Sequence, residues 1–166
     1  QYHFQQSAQD INLQAIAQNL PFRLRGQAKM EAEARWQDPT LRGAAGTGQV
    51  EFLNVRAEQA SFRGIKIPDL SFVRIVTRLE LRNGLLSIKA LTAEGPLMEG
   101  RGRGTLHLRN RWTDSVCNIS ARIYTQEELR AELPLISMMG NDQEPINVMI
   151  QGTWQRPQIS VNGIPF

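Results

Sequence analysis

The sequence predicts a mainly all-β protein: an elongated antiparallel meander, curved into a half-pipe or folded into two layers, with one short helix near residues 126–139. Three observations carry this. Apolar and polar residues alternate with a period of two in run after run, as strands with one buried and one wet face require. Between two such runs stands Asn83-Gly84, whose tolerance of positive φ suits a type I′ hairpin turn. Strands also follow strands through short turns, with no alternation of strand and helix that would lay down a parallel sheet.

Taken in order, Ile11 to Leu20 is ambiguous; Ile11, Leu13, Ala15 and Ala17 alternate with polar neighbours, which leans towards strand. From Phe22 to Trp36 every even position is apolar or Gly, through Leu24, Ala28 and Met30, while every odd one is polar. A helix would spread these apolar residues around its whole surface, so the periodicity outweighs the helix-forming composition of 27–35. Leu41 to Gly48 reads as a Gly-rich loop. Val50 and Phe52, then Leu53, Val55 and Ala57, alternate with a slip of one residue, the mark of a bulge or bend. After a turn at 64–68, Val73, Ile75, Thr77, Leu79 and Leu81 run up to Asn83-Gly84, and Leu86, Ile88 and Ala90 run back. Met98, Gly100, Gly102, Gly104, Leu106 and Leu108 share the face of the next strand. Further strands are expected at 117–123, 148–154 and 159–161, giving about eight in all. The helix is placed by Thr125 as cap, Glu128 in capping-box register and Leu129 and Leu133 behind it, ending at Gly140-Asn141.

The 166 residues carry 19 Lys plus Arg, 16 Asp plus Glu, two His and one Cys. A chain of this length buries roughly two-thirds of the surface it exposes when unfolded, so it is read as one domain over 1–166. A single Cys excludes an intrachain disulfide and, with only two His, a thiol-rich zinc or iron–sulfur site. The net charge of +3 points to no particular partner. No apolar run approaches the ~20 residues of a membrane span; the stretch around Leu135-Ile136 and Met138-Met139 is broken by Pro134 and Ser137. Starting at Gln1 without an initiator Met or an apolar targeting core, the chain is expected to be excised from a longer one.

Chemistry is sparse. Gly100-Arg101-Gly102-Arg103-Gly104 resembles an RNA-coating tract, but at period two its glycines line one strand face and its arginines the other, and no extended basic tract accompanies it. No nucleic-acid partner is expected. His3 and His107 have no partner in recognisable register, and Cys117 alternates with Ile119 and Ala121 as a small buried hydrophobe does. Glu31 and Glu33 share a strand face with Lys29 and Arg35, a solvated charge ladder, and Glu127-Glu128 opens the helix. Neither a phosphate-binding Gly loop nor a Gly-x-Ser-x-Gly elbow occurs. The expectation is a protein that is not an enzyme, with no catalytic residues, no cofactor and no metal. What stands out is an apolar sheet face bearing Leu24, Met30, Leu79, Leu81, Leu86, Ile88, Leu106 and Leu108, which one sheet cannot bury alone and which would meet a partner or a lipid.

Residues 70 to 166 carry a resemblance. Leu79-Glu80-Leu81-Arg82-Asn83-Gly84-Leu85-Leu86-Ser87-Ile88, followed by Gly95-Pro96-Leu97-Met98-Glu99-Gly100-Arg101-Gly102, resembles the strand, Asn-Gly, strand, Gly-x-Gly-strand units of AsmA-like proteins. It looks most like the protein N family of bacterial type II secretion systems. The ending Gly152-Thr153-Trp154-Gln155-Arg156-Pro157 resembles the Gly-Thr-x-x-x-Pro close of those proteins. The resemblance implies a periplasmic domain tethered to the inner membrane by a segment outside this chain, with no catalytic residues to carry across. It implies a structural component acting on other secretion or envelope proteins; the alternative is a lipid carrier or bridge segment of the AsmA or lipopolysaccharide-transport kind with an apolar groove. A third reading, a hydrolase of envelope material, requires two of His107, Glu128, Asp142 and Glu144 to converge.

Overall fold

The structure, a computed structural model, describes residues 2–16, 18, 20–36, 43–62, 64–132 and 144–165. Its centre is one ten-stranded antiparallel sheet in which every strand lies beside its sequence neighbour in the meander. The strands are β1 (Tyr2–Asn12), β2 (Arg23–Trp36), β3 (Ala45–Glu58), β6 (Leu70–Arg82), β7 (Leu85–Glu94), β8 (Met98–His107), β9 (Val116–Thr125), β10 (Ile146–Thr153), β11 (Arg156–Val161) and β12 (Ile164–Pro165). A separate two-stranded hairpin, β4 (Ser61–Phe62) with β5 (Ile65–Lys66), interrupts the sequence between β3 and β6. Two short helices, α1 (Leu13–Ile16) and α2 (Glu127–Glu132), and a 3-10 turn at Trp112–Asp114 complete the described elements.

The all-β meander expected from periodicity is the fold, and the longest alternation, in β2, is a 14-residue strand with odd positions exposed and even ones covered. The expected helix begins on time, at Glu127 after Thr125, whose Oγ1 accepts a hydrogen bond from Arg130 Nε at 2.9 Å. Its expected continuation over 133–139 lies outside the described residues. The strand expected over Ile11–Leu20 stops at Asn12, because Asn12 Oδ1 accepts the backbone N–H of Gln14 and turns the chain into α1.

Register fixes which residues share a face. Ala28, Phe52 and Ile75 form one row across β2, β3 and β6, and Leu81, Leu86, Leu106, Cys117 and Gly152 another across β6 to β10. The slip expected near Phe52 is a bulge: pairing shifts between Arg25 and Gln27, with Gly26 at φ 141 and Asn54 at φ 51. Two further departures follow the same logic. Asn54 lies opposite Val73, and across that pair the covered residue is Phe72, while Val73, expected inside, is 60% exposed. In β7 a second slip between Ile88 and Leu91 turns Ala90 outward and brings Leu91 and Ala93 onto the inner face. Trp154, expected in β10, sits in the β10–β11 turn after Gly152 at φ 97, and Leu108 lies just beyond β8.

The inner face is concave. A Cβ on Gly46 would stand 2.9 Å from the Ala34 Cβ, one on Gly102 2.8 Å from the Ser120 carbonyl oxygen, and one on Gly104 2.7 Å from the Ile119 Cα. Cross-strand Cβ atoms on an ordinary pair are about 4.5–5.5 Å apart, so the sheet closes towards this face along the β2–β3 and β8–β9 lines, where only glycine fits. The curl brings the α1–β2 connection at Leu20 and Pro21 opposite Pro157 and Ile159 of β11, across a cavity of about 690 Å³.

Candidate functional site

Because neighbouring strands are antiparallel, the sheet has two ends. Leu24, Ala57, Leu70, Met98, Ile123 and Ile146 lie towards one of them, and α1, the β4–β5 hairpin and α2 all branch from the chain there. Two small cores form at this capped end. Leu13 of α1 packs on Ala28 and Val55, with Ile11, Leu24, Val50, Phe52, Phe72 and Ile75 around them. Leu129 of α2 packs on Met98, with Ile67, Leu70, Phe72, Leu97 and Ile123. Phe72 belongs to both, which explains why it turns inward at the expense of Val73.

Towards the opposite end, the rim, no helix of the described residues lies over the inner face. There Leu79 faces Ile88 and Leu81 faces Leu86 across β6–β7, and Leu86 faces Leu106 across β7–β8, so five of the eight expected residues form one contiguous patch. All five are half-buried. Gly46 and Gly48, opposite Leu81 and Leu79 on the other side of β6, leave a side-chain-free strip between that patch and Ala32 and Ala34. Met30 shares the face, opposite Val50 and next to Ala8, whereas Leu24 is drawn into the α1 core and Leu108 adjoins the patch from the loop after β8, its N–H donated to the Gly84 carbonyl. The whole forms an apolar trough, capped at one end by helices. Periodicity located it but missed Phe4, Leu91 and Ala93. The last two were hidden by the slip after Ile88, where Ala90, expected inside, turns outward.

His107 ends β8 near the rim and Glu128 lies in the first turn of α2 at the capped end, so these two do not converge; Glu144 is exposed before β10, and Asp142 lies outside the described residues. No group of three or more His, Cys, Asp or Glu able to hold a metal occurs among the described residues. Cys117 is buried, its Sγ donates to the Gly152 carbonyl at 3.3 Å, and burial raises its thiol above the ordinary range, which leaves it protonated and inert. The outer face carries the charges expected of a solvated ladder. His3 and Arg35 both contact Glu33, Arg25 pairs with Glu58, Arg74 with Glu51, and Arg82 and Lys89 with Glu80.

These features define a class by architecture: an open antiparallel half-pipe with an apolar inside and a charged outside. No family model matches the chain, and neither a curated protein nor a solved structure does.

Proposed function

We propose that this chain is a non-enzymatic structural component of a bacterial type II secretion system, a periplasmic domain tethered to the inner membrane through a segment outside it. It works by contact with other envelope proteins. The family resemblance of 79–102 and 152–157 supports this, and one structural observation carries it. β1, eleven residues long, is the first strand of the sheet and pairs on one side only among the described residues. Its sequence has neither the Lys nor the Pro that usually blunts an exposed edge, so a partner's strand can add to it through main-chain hydrogen bonds. A pull-down with the whole domain against the other secretion subunits, under conditions where known pairs bind, is expected to recover at least one; recovering none overturns the assignment.

The alternative is a lipid carrier or bridge segment, and the half-buried leucines of the trough favour it. Native mass spectrometry of protein purified from bacterial envelopes, before and after delipidation, separates the two. Lipid bound at fixed stoichiometry supports the carrier, and a lipid-free species supports the scaffold.

A further inference from the structure

The outer face is not uniformly neutralised. Glu33, Glu51, Glu58 and Glu80 each hold at least one cation, but all of those pairs involve β1, β2, β3, β6 or Lys89 in the middle of β7. Further along the sheet the pattern changes. Arg101 of β8 lies directly opposite Arg122 of β9, and Arg103, two residues on, shares their face opposite Ser120. Arg78 of β6 projects from the same side opposite Ala90, one strand from β8. All four are exposed, and among the described residues none makes a side-chain hydrogen bond or ion pair. They span three strand spacings, about 14 Å.

Like charges set directly opposite each other across strands destabilise a sheet. The carboxylates near them on that face are engaged or set aside: Glu80, which follows Arg78 on β6, holds Arg82 and Lys89, and Glu94 and Glu99 oppose each other in the adjacent row, with Arg74 on the far side of Glu94. Two exposed side chains of the kind enriched at protein interfaces adjoin the arginines. Tyr124 follows Arg122 on the same face of β9, and Met149 of β10 lies opposite Ser120.

We propose that this outer face of β6–β10 is a docking surface for an acidic segment of a protein partner, its carboxylates held by Arg78, Arg101, Arg103 and Arg122 and its apolar side chains resting on Tyr124 and Met149. Guanidinium forks side by side match carboxylates bidentately. The mixed row of Arg74, Glu94 and Glu99 beside the arginines suits a protein, which can match charges residue by residue, better than a uniformly anionic membrane, and exposed Tyr124 and Met149 add side chains of the kind protein interfaces use. The surface lies on the side opposite the trough and stands whether the trough holds lipid or not.

The test uses the whole domain and a fluorescein-labelled twelve-residue peptide of repeating Glu-Asp-Leu, followed by anisotropy at low and moderate salt. Binding is expected at low salt and should weaken several-fold as salt rises. Arg101→Thr and Arg122→Thr should each weaken it about tenfold, and Tyr124→Ala several-fold, with the melting temperature of the two Arg variants unchanged or raised. Arg111→Thr, an exposed arginine outside the patch, should leave binding intact. No binding, or an equal loss in the Arg111 variant, overturns the proposal. So does tighter binding to phosphatidylglycerol vesicles that the same two Arg substitutions abolish, which would assign the patch to a membrane surface instead.

Discussion

Thr77 stands on the inner face of β6 between Val50 and Leu91, 6% exposed, and its Oγ1 has no hydrogen-bond partner among the described residues. A buried hydroxyl without a partner forfeits its hydration, at a cost of about 1–3 kcal/mol. Thr77→Val keeps the shape and the β-branched backbone preference and removes the polar atom, so it is expected to stabilise the protein by about 1 kcal/mol, raising the melting temperature by about 2–4 °C. Differential scanning calorimetry checks this. On the outer face the residues of consequence are carboxylates. The hydrogen bond from Lys89, with Arg82 beside it, holds Glu80 below the ordinary glutamate range, and hydrogen bonds from His3 and Arg35 do the same for Glu33. A folded-state value below the unfolded one means that the unfolded chain binds more protons as pH falls. The stabilisation is thus complete above the ordinary glutamate value of about 4.3 and is lost as pH drops through the lower folded values. Melting temperature should therefore fall on acidification from about pH 5 to pH 3, and less steeply in Glu80→Gln. Both carboxylates reach solvent, so added salt should shrink the difference between the two proteins.

At the scale of elements, the sheet's curl depends on where side chains are missing. A methyl on Gly104 meets the Asn118 carbonyl oxygen at 2.6 Å and the Ile119 Cα at 2.7 Å, both backbone atoms that cannot swing away. On Gly100, four residues earlier on the same face, the nearest atom is the Ala93 Cβ at 3.3 Å. Gly104→Ala is accordingly expected to cost about 1–3 kcal/mol, and Gly100→Ala to be close to neutral, since Ala also restrains the unfolded chain; urea midpoints of the two variants give the comparison. The glycines at period two were legible in the sequence as a low face, and the reason only glycine fits is the curvature. Strand identity was legible for the same physical reason throughout β2, β8 and β9, where one face is apolar without interruption. The Asn83-Gly84 turn adopts the expected positive φ values of 51 and 79. Asn162-Gly163 repeats them at 48 and 79, and the same dipeptide signal there marks the β11–β12 hairpin, which the reading of strands alone passed over. What periodicity does not reveal is phase after a bulge. Asn54 near left-handed φ and the Ile88–Leu91 slip each exchange inside for outside within an unbroken strand. β1 was missed because its inner positions include Gln6 between Phe4 and Ala8, an alternation too weak to stand out.

For the whole molecule, the placement of its tryptophans turns the question of what fills the trough into an optical one. The chain has three Trp, and all lie towards the rim: Trp36 at the end of β2, Trp112 between β8 and β9, and Trp154 in the β10–β11 turn. Trp36 is on the inner-face parity of β2, with the Phe4 ring 6.3 Å away, and Trp112 and Trp154 pair at 5.7 Å. None belongs to the two cores at the capped end. An acyl chain can lie on the half-buried leucines only along the part of the inner face that α1 and α2 leave uncovered, and one that runs from them across the side-chain-free strip of Gly46 and Gly48 reaches Ala34 and, two residues on, Trp36. Titration with a brominated fatty acid, whose heavy atoms quench indole on contact, is therefore expected to lower fluorescence saturably if the trough takes lipid. Trp36→Phe should remove most of the quenchable signal. Leu86→Glu, which sets a charge among Leu81, Leu106 and Ile88, should weaken the apparent affinity at least tenfold, because a carboxylate cannot be covered by an acyl chain without losing its hydration. Quenching that stays linear in added fatty acid and ignores Leu86→Glu would instead assign the inner face to apolar protein contacts, the condition under which β1 and the leucine patch act together as one protein-binding side of the scaffold.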